Sequence, residues 1–307
     1  MKRKVIQLAG KTMVVSLPIK WVKRYNVRKG DEIEVEEKGR EILLKTQAEP
    51  EIKRVEIDTR GQNERVIGWI MSAMYKLGYD EIEFIYDNQR IMEQIQEAVK
   101  DFFVGFILVN QTKSRCVIKS ISRDSEEEFD AALKRAFMVT TTLGENISEA
   151  LRNGERDSLK SIVGMERTNN QLTGFCERLL NKRGHGEVGK TCFWHNIAWN
   201  LEKICDDYKY ICELLLEKGS KKKRVSGELI QLLDEANSYL KDYYDLLYKY
   251  EVGKLAPFSA RGNSLVKKAE SLFKSNKDEE EVVIASIVVS FARKVMDFAT
   301  STIPLNA

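Results

Sequence analysis

The stretch WNLEKICDDYKYI, residues 199–211, places Leu201, Ile204, Tyr208 and Ile211 at spacings of three and four, with Glu202 and Asp206 four residues apart between them. Ile197 and Phe193 extend the apolar series upstream and Leu215 downstream, so the segment reads as an amphipathic helix with one buried stripe. At 100° per residue that stripe points almost opposite to Glu202 and Asp206, and His195, Trp199 and Glu213 fall on the outward face with them. Like charges at this spacing cost an isolated helix roughly 0.2–0.5 kcal/mol. Either a cation gathers these groups, although one helix supplies an incomplete shell for a transition metal, or the face is solvated and Lys209, three residues beyond Asp206, offsets the repulsion.

The same periodicity recurs before and after this helix. Phe129, Leu133, Phe137, Thr140, Leu143, Ile147 and Leu151 mark one helix, and Leu159, Ile162, Glu166, Asn169, Leu172, Cys176 and Leu179 the next. After the polar break GSKKKRVSG at 219–227 come a stripe from Leu229 to Tyr250, a shorter one at Leu265, Ala269 and Leu272, and a last one at Ile284, Ile287, Phe291, Val295 and Phe298. The order predicts a tandem pair of three-helix bundles over 123–218 and 225–307, a duplication with a period of roughly 90 residues rather than a solenoid. The KKKR run at 221–224 reads as an exposed inter-bundle loop.

Toward the N-terminus the pattern shifts to short strands. KVIQL, TMVVSL, EIEVEE and EILLKT are β-rich and punctuated by Gly10, Pro18, Gly30 and Gly39. A four-strand unit of this size, residues 1–50, has little core of its own and calls for a partner subunit. Residues 51–122 then alternate strand, helix, strand, helix, strand, strand, a small α/β module with helices on one face of its sheet and no glycine-rich phosphate loop. The fold class is therefore α+β.

Charge is distributed unevenly. The chain carries a formal net charge of +3, yet residues 1–30 hold Lys2, Arg3, Lys4, Lys11, Lys20, Lys23, Arg24, Arg28 and Lys29 with no Asp or Glu. A positive field confined to one end suits a polyanionic partner. The 5 cysteines include no CxxC pair, against both a disulfide framework and a zinc knuckle. With no apolar run of membrane-spanning length and no signal-peptide pattern, the expected setting is the cytoplasm. His185 and His195 are the only histidines and form no recognisable nucleophile pairing, which places an enzyme last among the function classes.

Two resemblances follow from these segments. The series VVSLP (14–18), IKWVKRYNV (19–27) and KGDEIEV (29–35) resembles the AbrB/SpoVT class of swapped-hairpin DNA-binding domains. That resemblance implies a homodimer, or a higher oligomer built on it, with interlaced hairpins, in which Arg3, Lys4, Lys11, Lys20 and Lys23 meet DNA. Val22 stands where bacterial members often carry a basic residue. A symmetric dimer would present about eighteen positive charges to phosphate, and such binding weakens steeply with salt.

LEKICDDYKYICE (201–213) resembles the Glu-x-x-x-Asp phrase of PhoU, the helical regulator of phosphate uptake and signalling. The matching phrase of the second bundle, FARKVMDFATS (291–301), has Arg293 in place of the glutamate and keeps Asp297, which predicts an ordinary helix salt bridge there. The resemblance implies one iron, zinc or other divalent ion per chain at Glu202 and Asp206, with His195 nearby. Together the two resemblances describe a phosphate-responsive transcriptional regulator of archaeal type. The runner-up is an adaptor that docks on a phosphate transporter or sensor kinase and uses its head only to dimerise. A third reading, an antitoxin, fits poorly with large self-sufficient bundles.

Overall fold

A computed structural model describes residues 2–46, 52–121, 126–216, 224–275 and 278–307. The chain forms two compact units, Met1–Lys53 and Arg54–Ala307. The architecture is α+β, with short antiparallel strands first, a mixed sheet carrying helices next, and long helices last. Among the described residues no helix is long and apolar enough to cross a membrane.

In the first unit β1 (Val5–Leu8) and β2 (Thr12–Val15) form one antiparallel hairpin. Ala9 and Gly10 turn it with φ of 48° and 76°, left-handed backbone that glycine adopts without strain. Pro18 sits at the N-cap of the single-turn helix α1 (Ile19–Arg24), a place where a missing N–H costs nothing. The Lys-Gly-Asp phrase is then a tight turn: Gly30 has φ 97° and the Asp31 carboxylate accepts from the Arg28 N–H at 2.7 Å. A second hairpin, β3 (Ile33–Lys38) with β4 (Glu41–Thr46), completes the unit.

None of the side chains described between Lys2 and Thr46 is buried. Val5, Ile6, Leu8, Met13, Val15, Ile19, Val35 and Ile42 are each more than half exposed. A single copy of this unit therefore has no core, and hairpins without one are marginal in water.

The second unit begins with a four-stranded sheet, β5 (Arg54–Asp58), β6 (Glu81–Ile85), β7 (Phe106–Gln111) and β8 (Arg115–Ser120), in the order β5-β6-β8-β7. β5 and β6 are parallel and joined through α2 (Glu64–Lys76); the other pairings are antiparallel, with α3 (Gln89–Asp101) linking β6 to β7. Asn63 and Asn88 cap the two helices by accepting from the Val66 and Ile91 N–H groups at 3.0 and 3.1 Å. Ile67, Met71 and Tyr75 of α2 and Ile91, Met92 and Ile95 of α3 pack on Ile82, Phe84, Phe106, Cys116 and Ile118. On the opposite face Glu56 and Glu83 lie side by side, and Arg115 bridges both at 3.0 and 2.9 Å, turning a like-charge neighbour pair into a stabilising one.

Six helices follow: α4 (Glu126–Asn153), α5 (Leu159–Arg183), α6 (Thr191–Leu216), α7 (Gly227–Tyr248), α8 (Leu255–Ser275) and α9 (Glu279–Leu305). The stripes read from sequence face inward in all six. The two expected bundles, however, share one continuous hydrophobic core. Between them the Tyr208 hydroxyl donates to Asn237 Oδ1 at 3.1 Å, and Asn237 Nδ2 donates to the Thr141 carbonyl at 3.0 Å. Gly144 permits this close crossing, since a Cβ there would lie 2.6 Å from the Tyr208 hydroxyl oxygen. Arg54–Ala307, in which the sequence places three domains, is thus one compact unit.

The mixed sheet is fastened to the helices through α5. Arg178 is completely buried and donates to the Tyr75 and Tyr79 carbonyls at 3.1 and 2.7 Å and to Asp80 at 2.9 Å. Lys182 reaches the same Asp80 carboxylate at 2.5 Å. Gly78, with φ 83°, both ends α2 and clears Lys182, whose Cγ would sit 2.2 Å from any Cβ placed there.

Candidate functional site

The Glu202–Asp206 pair lies where α6 meets α5 and α2. Both carboxylates are largely covered, with side chains 17% and 19% exposed, whereas Trp199, His195 and Glu213 of the same face stay open to solvent. Lys203 bonds Glu202 Oε1 at 3.0 Å and Asp206 Oδ2 at 3.1 Å, spanning the two acids from within their own helix. From α2, Lys76 Nζ approaches Glu202 Oε2 at 3.4 Å and Glu177 Oε2 of α5 at 2.6 Å. The two ammonium groups stand over the Trp199 ring at 5.3 and 5.0 Å, close enough for cation–π attraction.

Lys209, expected to offset Asp206, makes its ion pair with Glu166 of α5 at 3.3 Å. Burial works against its ammonium, and Asp206 is one of the acids, led by Glu166, that hold it above the ordinary range. His195 Nε2 faces Glu177 Oε1 at 4.0 Å. Among the described residues no group of three or more His, Cys, Asp or Glu is placed to hold a metal ion. In the second bundle Arg293 reaches Glu270 of α8 at 3.7 Å, so the expected bond along its own helix is a bond between helices. Lys294 beside it pairs with the buried Asp207 of α6 at 2.7 Å.

The charges shift accordingly. Burial works against the Lys203 ammonium, but Glu202 and Asp206 outweigh it and hold the group above its ordinary range. Burial raises the Glu177 carboxyl, with Lys76 and His195 pulling the other way and Glu202 adding to the rise. Because the folded chain then binds this proton more tightly than the unfolded one, the group's contribution to stability is full at low pH. It is lost as pH climbs from the ordinary value of 4.5 through the raised one. Thermal melts taken upward from that pH should show the Glu177→Gln variant with a flatter decline than the parent; parallel curves would assign the titration elsewhere.

In the N-terminal unit Arg3 and Lys4 precede β1, Lys11 sits on the β1–β2 turn, and Lys20 and Lys23 lie three residues apart on one side of α1. All five are exposed. Trp21 and Tyr25, with ring centroids 5.5 Å apart, pack along the same short helix. Residues 6–51 match the family model described as antidote-toxin recognition MazE, bacterial antitoxin. No curated protein and no solved structure matches the chain.

The MazE-like segment spans β1 through β4 and supports the reading of the N-terminus as a hairpin domain of the MazE/AbrB type. It ends before the mixed sheet begins, so the helical unit lies outside the match. In that unit the residues missed from sequence are Lys76 and Glu177, which come to the Glu202–Asp206 pair from two other helices. Lys203 carried a local signal, since it lies three residues before Asp206 and directly after Glu202.

Proposed function

We propose that the chain is a homodimeric DNA-binding regulator without enzymatic activity, in which the MazE-like heads of two copies pair and grip DNA. The observation that carries this reading is a head with no buried side chain among its described residues in a single copy, whose first thirty residues are basic and acid-free. Pairing two such heads covers apolar surface worth about 25 cal/mol per Å². It also doubles the positive charge available to phosphate. Arg3, Lys4, Lys11, Lys20 and Lys23 are the contact residues in this reading, with the resemblance to swapped-hairpin domains as support.

The helical unit relays a signal to the head. Its resemblance to PhoU points to phosphate status, received through a transporter or signalling protein. The name of the matched family favours a second reading, antitoxin-type regulation, in which Arg54–Ala307 captures a toxin. Gel-shift titration on genomic fragments tests the shared core of both: the full chain binds and a chain lacking residues 1–46 does not. Binding unaffected by that deletion would take the DNA contact away from the head, and no salt-sensitive binding by the full chain would leave the adaptor reading, with a head that only dimerises.

A further inference from the structure

The resemblance to PhoU calls for a metal ion at Glu202 and Asp206, and the residues around them fit a different cation. Lys203 spans the pair, with its ammonium 3.0 Å from one carboxylate and 3.1 Å from the other. Lys76 occupies the remaining approach, 3.4 Å from Glu202 and 2.6 Å from Glu177. Glu177 is fully buried, and a buried carboxylate stays charged only beside a compensating positive group. His195, the one nitrogen ligand in reach, faces Glu177 rather than the Glu202–Asp206 pair.

We propose that Lys76 and Lys203 serve as tethered cations that fill the Glu-x-x-x-Asp site, so that this chain holds the site closed with its own side chains and binds no metal there. Two consequences follow from where the lysines originate. Lys203 belongs to the motif helix and only neutralises it. Lys76 ends α2 of the sheet module, so its ammonium makes the motif a latch between that module and α5 and α6. Asn181 of α5 reinforces the latch by donating to the Lys76 carbonyl at 2.8 Å. Removing the ammonium groups would leave Glu177, Glu202 and Asp206 with uncompensated negative charge; as they stand they are not placed to hold an ion, and in the space the lysines vacate they would turn to gather a divalent one.

The test is metal binding by the full-length dimer. Chelator-stripped parent protein titrated with Zn²⁺ should take up no ion that depends on these acids. The Lys76→Met, Lys203→Met variant should gain a site at least about tenfold tighter than the background of the parent. That gain should vanish when Glu202→Gln and Asp206→Asn are added. A stoichiometric ion in the parent that Glu202→Gln abolishes would overturn the proposal without any lysine variant having to fold. A folded double variant that gains no site would overturn it as well.

Discussion

Replacing Arg3, Lys4, Lys11, Lys20 and Lys23 together by alanine should flatten the salt dependence of DNA binding almost completely. If each side chain neutralises one phosphate in both copies, about ten contacts give a log–log slope near −9. Affinity then falls about 10⁵-fold between roughly 50 and 200 mM salt. The variant should lose most of its affinity at the lower salt and change little with further salt. All five are charged and none belongs to the exposed apolar set that pairing of the heads would cover, so size-exclusion elution should not move. Alanine at any one position should weaken binding to all sequences about equally, because phosphate contacts carry no base information. An unchanged slope would place the DNA surface on other residues.

The elements that could be read from the sequence are those whose logic is local. Gly30 and Asp31 announce their turn because it needs a left-handed residue directly before a carboxylate that accepts from the backbone N–H three residues earlier. The six helical stripes were legible because burial on one face imposes the 3.6-residue period whatever the partner is. What joins the elements was not. Arg178 reads as a surface residue on α5, and only its partners, about a hundred positions earlier at Tyr75, Tyr79 and Asp80, make its burial tolerable. Asn237 likewise reads as a polar interruption in the α7 stripe, although it ties Tyr208 to the α4 backbone and helps merge the two bundles.

The carboxylate pair shows the same division. Its spacing, and the need for a positive charge, were plain in residues 199–211. Of the charges that meet it, Lys203 lies within that stretch, whereas Lys76 stands 126 positions from Glu202 and belongs to another layer of the fold. Periodicity predicted the face opposite the apolar stripe correctly. It had no means of showing that Glu202 and Asp206 on that face are largely covered while Trp199 and Glu213 stay exposed.

Arg178→Met should be the most damaging single substitution in the second unit. The guanidinium donates to two backbone carbonyls and one carboxylate while packing on both the Tyr75 and the Phe106 ring, at 5.3 and 4.9 Å. Methionine preserves most of the volume but leaves those acceptors facing a thioether. Removing one partner of a buried charge pair costs about 3–5 kcal/mol, which in a unit of this size lowers Tm by about 10 °C. Arg178→Lys should recover little, because one ammonium cannot span the Tyr75 carbonyl, the Tyr79 carbonyl and Asp80 from a single rigid fork. The loss should also be regional. Hydrogen exchange should quicken in α2 and β6, which Arg178 holds against α5, before it changes in α8 and α9, whose packing runs through Phe258, Leu265 and Val295 in the shared helical core. A lysine variant as stable as the parent would show that packing of the sheet module on α5, rather than the buried guanidinium, fastens the two layers.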